Sequence, residues 1–155
     1  DTWHLLLAGT GQLSSHALLA GEEFGLGGPE GFGRGYDTNE LTGEQGAAAK
    51  AELQATFQTN WPWLEAWQLF GFYDAGAVWN KDRAPLEPDQ AQTLASVGSG
   101  VRLQFSPQLT GELMLTKPTT RDVQTNGSDN PTMYFRLSSK IDFTTLTRLH
   151  KGDTP

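Results

Sequence analysis

Six stretches of this 155-residue chain alternate apolar and polar residues with a period of two, and in all six the apolar residues occupy odd positions. Between Ala47 and Gln58 the odd positions read Ala47, Ala49, Ala51, Leu53, Ala55, Phe57, and the even ones Ala48, Lys50, Glu52, Gln54, Thr56, Gln58. Its Ala, Lys, Glu and Gln content favours a helix on local propensity, but a helix would repeat every 3.6 residues, and the period of two selects a strand. The other five stretches are Trp3–Leu13, Trp67–Trp79, Val97–Phe105, Leu109–Thr116 and Met133–Phe143, and no charged residue falls on the odd face of any of them. Most run about ten to thirteen residues. Strands of globular proteins average about five to six, whereas tilted membrane strands need about nine to eleven.

These features predict an all-β, transmembrane antiparallel β-barrel, with odd residues facing lipid and even residues facing the lumen. No window approaches the eighteen or so apolar residues of a membrane helix. The polar mean hydropathy of -0.45 is no obstacle, because lumen residues dilute lipid-facing ones in a barrel. Short connections at Ser14–Ala20, Thr59–Leu64 and Ser106–Gln108 alternate with long polar ones at Gly27–Gln45, Asn80–Gln92 and Thr119–Thr132, as short periplasmic turns alternate with long outer loops. Trp67 and Trp79 share a face twelve residues apart, about 40 Å along a strand and about 28 Å across a membrane at a 45° tilt. That approaches the roughly 25 Å between aromatic girdles. Counting Glu22–Gly27 as a short seventh strand places Phe57, Trp67, Phe105 and Phe143 at one rim, and Trp3 and Trp79 at the other. The even face then offers Lys50, Gln54, Arg102, Gln104, Arg136 and Lys140 as a polar lumen lining. The rival architecture is a soluble β-sandwich binding module, in which the odd face would be core.

The stretch GLGGPEGFGRGYDTNELTGEQG, from Gly25 to Gly46, invites a ligand-loop reading that its spacings refuse. Gly31, Gly33 and Gly35 lack a flanking βαβ unit, and no Gly-Lys-Ser/Thr follows, so dinucleotide and P-loop readings are weak. Asp37 and Asn39 begin like a calcium loop, but Thr42 stands where glycine is required. His4, His16 and His150 have no ligand spacing, there is no cysteine, and no nucleophile elbow occurs. No metal, cofactor or catalytic group is therefore expected, and a net charge of -7 without clustered Lys and Arg argues against nucleic acid.

The same stretch resembles the late barrel of the two-partner secretion transporters, the hemolysin secretion/activation proteins of the outer-membrane assembly superfamily. The matching residues are Leu26–Gly28, Gly33-Arg34-Gly35-Tyr36, Leu41–Gly46 and Glu52-Leu53, followed by Phe72, Asp74 and Gly76 in FGFYDAGAVW, by LASVGSGVRLQF, and by a last strand ending at Phe143. The resemblance implies about six to seven strands from the C-terminal half of a roughly sixteen-stranded barrel in the bacterial outer membrane, over residues 1–143. It implies the remaining barrel and periplasmic transport-associated domains as partners, together with outer-membrane lipid, lipopolysaccharide and a secreted hemolysin or adhesin. It also implies that loop 27–45 folds into the lumen, where Arg34 meets Asp74, with Glu52 as a second acceptor. Both acids are even-numbered, so parity alone puts them on the lumen face. Gly33 stands where the family has valine, and a tail from Thr144 to Pro155 runs past the last strand. An assembly insertase of the same superfamily is the second functional reading.

Overall fold

The protein is described by a computed structural model covering residues 1–80, 91–120, 123 and 127–140. Its strands are β1 (Thr2–Gln12), β2 (Phe24–Leu26), β3 (Leu41–Gly43), β4 (Gln45–Trp61), β5 (Leu64–Trp79), β6 (Gln92–Ser106), β7 (Leu109–Pro118) and β8 (Thr132–Ser139). Six of them form one antiparallel sheet in the order β1-β4-β5-β6-β7-β8, and β2 pairs with β3 in a separate two-stranded sheet. There is no helix among the described residues. The large sheet ends on β1 and β8, so these strands form a wall segment of a barrel and do not close one.

The two faces of this wall differ as the sequence parity demands. Trp3, Leu5, Leu7, Leu53, Leu69, Tyr73, Val97, Leu113, Leu115, Met133, Phe135 and Leu137 are odd-numbered and exposed. Glu52, Phe70, Phe72, Asp74, Val78, Leu94, Ser96, Met114 and Thr116 are even-numbered and buried. A sandwich would cover the odd face with a second sheet, and none is present among the described residues. An uncovered apolar face opposite a polar one is the pattern of a transmembrane barrel wall.

The topology corrects two expectations. Glu22–Gly27 does not supply a seventh barrel strand: its core, β2, folds against β3 within the connection that leads from β1 to β4. Because nothing crosses the wall between them, β1 and β4 pair directly, with Trp3 opposite Ala55. Trp3 therefore lies at the rim of Phe57 and Trp67, not at that of Trp79. Likewise Ser14–Ala20 is no periplasmic turn but the start of a connection spanning 13–44. The tight turns at the Trp3 rim join β4 to β5 and β6 to β7, and the strand ends Gln12 with Gln45, Trp79 with Gln92 and Pro118 with Thr132 lie at the other end.

The Trp3 rim is rich in aromatic rings. Phe57 and Trp67 are register partners and stack at 4.4 Å between centroids, and Trp61 stacks on Trp63 at 5.2 Å across the β4–β5 turn. Phe105, half-buried, follows Leu103, the register partner of Trp67. At the far rim Trp79 donates its indole N–H to Gln45 at 3.0 Å. Phe143 and the 144–155 tail lie outside the described residues.

Glycine shapes the inner face. Gly98 and Gly100 lie across from Phe72 and Phe70 in the β5–β6 register, and an added Cβ on either would stand 2.5 Å from the Cζ of its partner ring. The missing side chains let both rings lie flat on β6. A Gly100→Ala substitution is thus an overpacking change, expected to destabilise by about 1–3 kcal/mol. The same Cβ would stand still closer to the Leu113 carbonyl oxygen, so adding Phe70→Leu should recover only the ring's share of the loss, read as denaturant midpoints of the detergent-solubilised protein.

Candidate functional site

The connection between β1 and β4 doubles back onto the inner face and is knit by its own backbone. Gly27 donates to the Phe32 carbonyl at 2.8 Å, Gly28 to Tyr36 at 3.0 Å, and Tyr36 to Gly33 at 3.0 Å. Gly27, Gly28 and Gly33 hold φ of 110°, 96° and 87°, values that residues with a Cβ rarely adopt. Gly33, where the family resemblance led one to expect valine, is buried in this conformation. Gly35 touches the wall itself, since a Cβ there would stand 2.9 Å from the Lys117–Pro118 peptide and from Ser96.

Apolar contacts hold this connection down. Leu26, Tyr36 and Leu41 bury against Ala48, Val78 and Leu94 of the wall and against Val123, with Phe24 and Phe32 packed alongside. Leu26 also packs over Gly76, where a Cβ would stand 2.8 Å from its methyl groups, so Gly76 acts by leaving space. Burying a side chain of the size of Leu26 or Leu94 contributes roughly 1.5–3 kcal/mol.

Within this apolar frame lies a charged cluster. Arg34, 5% exposed, donates from Nε and Nη2 to the two oxygens of Asp74 at 2.9 and 3.0 Å, and its backbone N–H adds a 3.2 Å bond. Asp74 is fully buried. Nη1 of Arg34 donates to Glu52 at 2.6 Å, and its guanidinium lies 3.5 Å above the Phe72 ring. Burial alone would lower the pKa of Arg34, but the Asp74 and Glu52 carboxylates outweigh it and raise the pKa above the usual arginine value. The guanidinium is therefore a fixed charge.

The cluster continues across the wall with alternating sign. The other oxygen of Glu52 accepts from Arg102 at 2.7 Å and from Gln54 at 2.9 Å. Arg102 sits 3.8 Å over Phe70, donates to Gln68 at 2.8 Å, and pairs with Glu112 at 2.6 Å. Glu112 faces Arg136 at 3.8 Å, and Arg136 reaches Glu30 of the connection at 3.1 Å. The series Asp74–Arg34–Glu52–Arg102–Glu112–Arg136–Glu30 thus starts on β5 and touches the folded connection twice, at Arg34 and at Glu30. A polar cavity of about 470 Å³ opens beside it, lined by Glu30, Arg34, Lys50, Glu52, Arg102 and Arg136 among others.

The residues expected to line a lumen are not all brought together. Lys50 has its ammonium 5.1 Å from the Phe32 ring centre. Gln104 instead donates to Glu65 at an exposed position, and Lys140 follows β8 as an exposed residue whose backbone N–H bonds to Gln108. Glu112 and Glu30 join the cluster without having been singled out from the sequence. Glu112 is even-numbered on an alternating strand, so its parity signals the inner face, whereas no local signal marks Glu30.

A wall of antiparallel strands with an apolar outer face, and a charged inner face onto which a long connection is pinned, defines an outer-membrane-type β-barrel. Residues 1–103 match the family model described as haemolysin secretion/activation protein ShlB/FhaC/HecB. The chain belongs to this family of outer-membrane two-partner secretion transporters. No match is found among curated protein sequences or solved structures. The family match ends within β6, whereas the resemblance seen in the sequence runs to the last strand.

Magnitudes separate the two anchors. Buried ion pairs contribute little net energy when intact, but losing one partner leaves a bare charge at a cost of about 3–5 kcal/mol. Arg34→Ala should therefore destabilise the docked connection by about that much, and Arg34→Ala with Asp74→Ala by distinctly less. Glu30 is largely exposed, so Glu30→Gln should cost no more than about 1 kcal/mol. Denaturant midpoints of the three variants compare these effects.

Proposed function

We propose that this chain is part of an outer-membrane barrel that secretes and activates a partner polypeptide of hemolysin or adhesin type, with the connection at 27–45 serving as a lock within the lumen. The observation that carries the reading is the buried arginine of a long connection gripped by two carboxylates on the barrel wall. A bidentate guanidinium–carboxylate bond fixes orientation better than a point charge can, and glycines let the connection lie close against strands.

The activity is conduction, with no bond made or broken by the protein. An extended polypeptide passes through a polar lumen whose wall displays Lys50, Gln54, Arg102 and Arg136. While the connection is docked it occupies inner-wall space, so passage requires it to shift. The exposed odd face meets outer-membrane lipid, including lipopolysaccharide on the outer leaflet, and the aromatic rings at the Trp3 rim sit at the opposite interface.

Two measurements test this reading. Arg34→Asp and Asp74→Arg should each reduce export of the partner polypeptide, and the two together should restore it; absence of restoration removes the pairing from the mechanism. The native protein should partition with outer membranes and migrate as a compact species in unheated detergent samples. Recovery as a soluble monomer would overturn the membrane assignment.

A further inference from the structure

The charged cluster holds a spare cation. Lys50 on β4 is the direct register partner of Asp74 on β5, and both side chains rise from the even face. Directly opposed residues have Cβ atoms roughly 5 Å apart, well within the reach of a lysine. Yet Lys50 forms no ion pair among the described residues. Its ammonium lies over Phe32, and Phe32 belongs to the same folded connection as Arg34. Undocking that connection removes Arg34 from Asp74 and Phe32 from Lys50 together.

We propose that Lys50 is the stand-in counter-ion of Asp74, so that release of the connection exchanges one cation for another and leaves no unpaired carboxylate on the wall. Glu52 already has its substitute, since Arg102 and Gln54 hold one oxygen while Arg34 holds the other. Asp74 has none until Lys50 turns toward it, because all three bonds it accepts in the docked state come from Arg34. A wall carboxylate that loses its only partner is penalised, which favours the docked connection. The exchange lowers that penalty, which makes Lys50 the positioning residue that sets how readily the lock opens. The inference rests on the reading of the connection as a movable lock.

The sign of one effect separates this role from a merely structural one. If Lys50 only braces Phe32, then Lys50→Met loosens the docked connection. If Lys50 is the stand-in, Lys50→Met traps it, and the released fraction falls by about tenfold, the scale of a single coupled charge interaction. The released fraction is read in the complete transporter in nanodiscs by spin-label distances between Thr38→Cys and Leu53→Cys. Lys50→Arg should restore release, and Lys50→Met with Asp74→Asn should release freely because no charge is left bare. An unchanged or increased released fraction in Lys50→Met overturns the proposal. If the connection stays docked even in Asp74→Asn with Lys50 intact, the movable-lock reading itself fails, a distinct outcome. Should Lys50→Met not assemble, Lys50→Gln carries the same comparison.

Discussion

A carboxylate wholly removed from solvent must be met by a positive charge, and Asp74 is met by an arginine forty residues earlier in the chain. Much of the inner face is arranged around that requirement. Arg34 can reach Asp74 only if its connection lies flat on the wall. That requires left-handed backbone at Gly27, Gly28 and Gly33, and no side chain at Gly35. The guanidinium also needs a surface to lie on. Phe72 supplies it, and Phe72 in turn needs the bare backbone of Gly98. The same arrangement of arginine on phenylalanine on glycine recurs one register step along, with Arg102, Phe70 and Gly100.

Energy and specificity are divided between two sets of residues. The apolar cluster around Leu26, Tyr36 and Leu94 supplies most of the free energy of docking, because burial of apolar area is favourable without demanding geometry. The ion pairs add little net energy but make docking conditional on correct alignment, since a displaced Arg34 leaves Asp74 bare. A connection held this way is stable in one place yet can be released by a change confined to a few charges. That behaviour suits the lock proposed above.

How much of this was legible in the sequence differs from residue to residue. Period-two alternation is a local property of an extended backbone, so the face of wall residues followed from parity except beside the two tight turns, where register shifts pair Trp61 with Leu64 and Ser106 with Leu109. Glu52 and Asp74 were placed inward by counting alone, and Glu112 could have been. Position along the membrane normal is not local. The rim of Trp3 depends on whether Glu22–Gly27 crosses the wall, and three residues of extended chain in β2 look alike in a barrel strand and in a hairpin laid against the wall. The error in strand count became an error in direction, and Trp3 moved from one rim to the other. The pairing of Arg34 with Asp74 was implied by family resemblance, since no spacing rule links a loop arginine to an acid two strands away. Nothing local linked Glu30 to Arg136 or Lys50 to Phe32.

By itself the sequence determined the kind of sheet, its two chemically opposed faces and the absence of ligand-binding loop motifs, because strand periodicity and glycine spacing act between near neighbours. The tertiary structure decided which strand lies beside which, which rim each aromatic ring occupies, and which opposite charges meet. Those outcomes depend on the path of a connection more than thirty residues long. Its course is chosen by apolar burial against distant strands and then held in register by a single buried carboxylate.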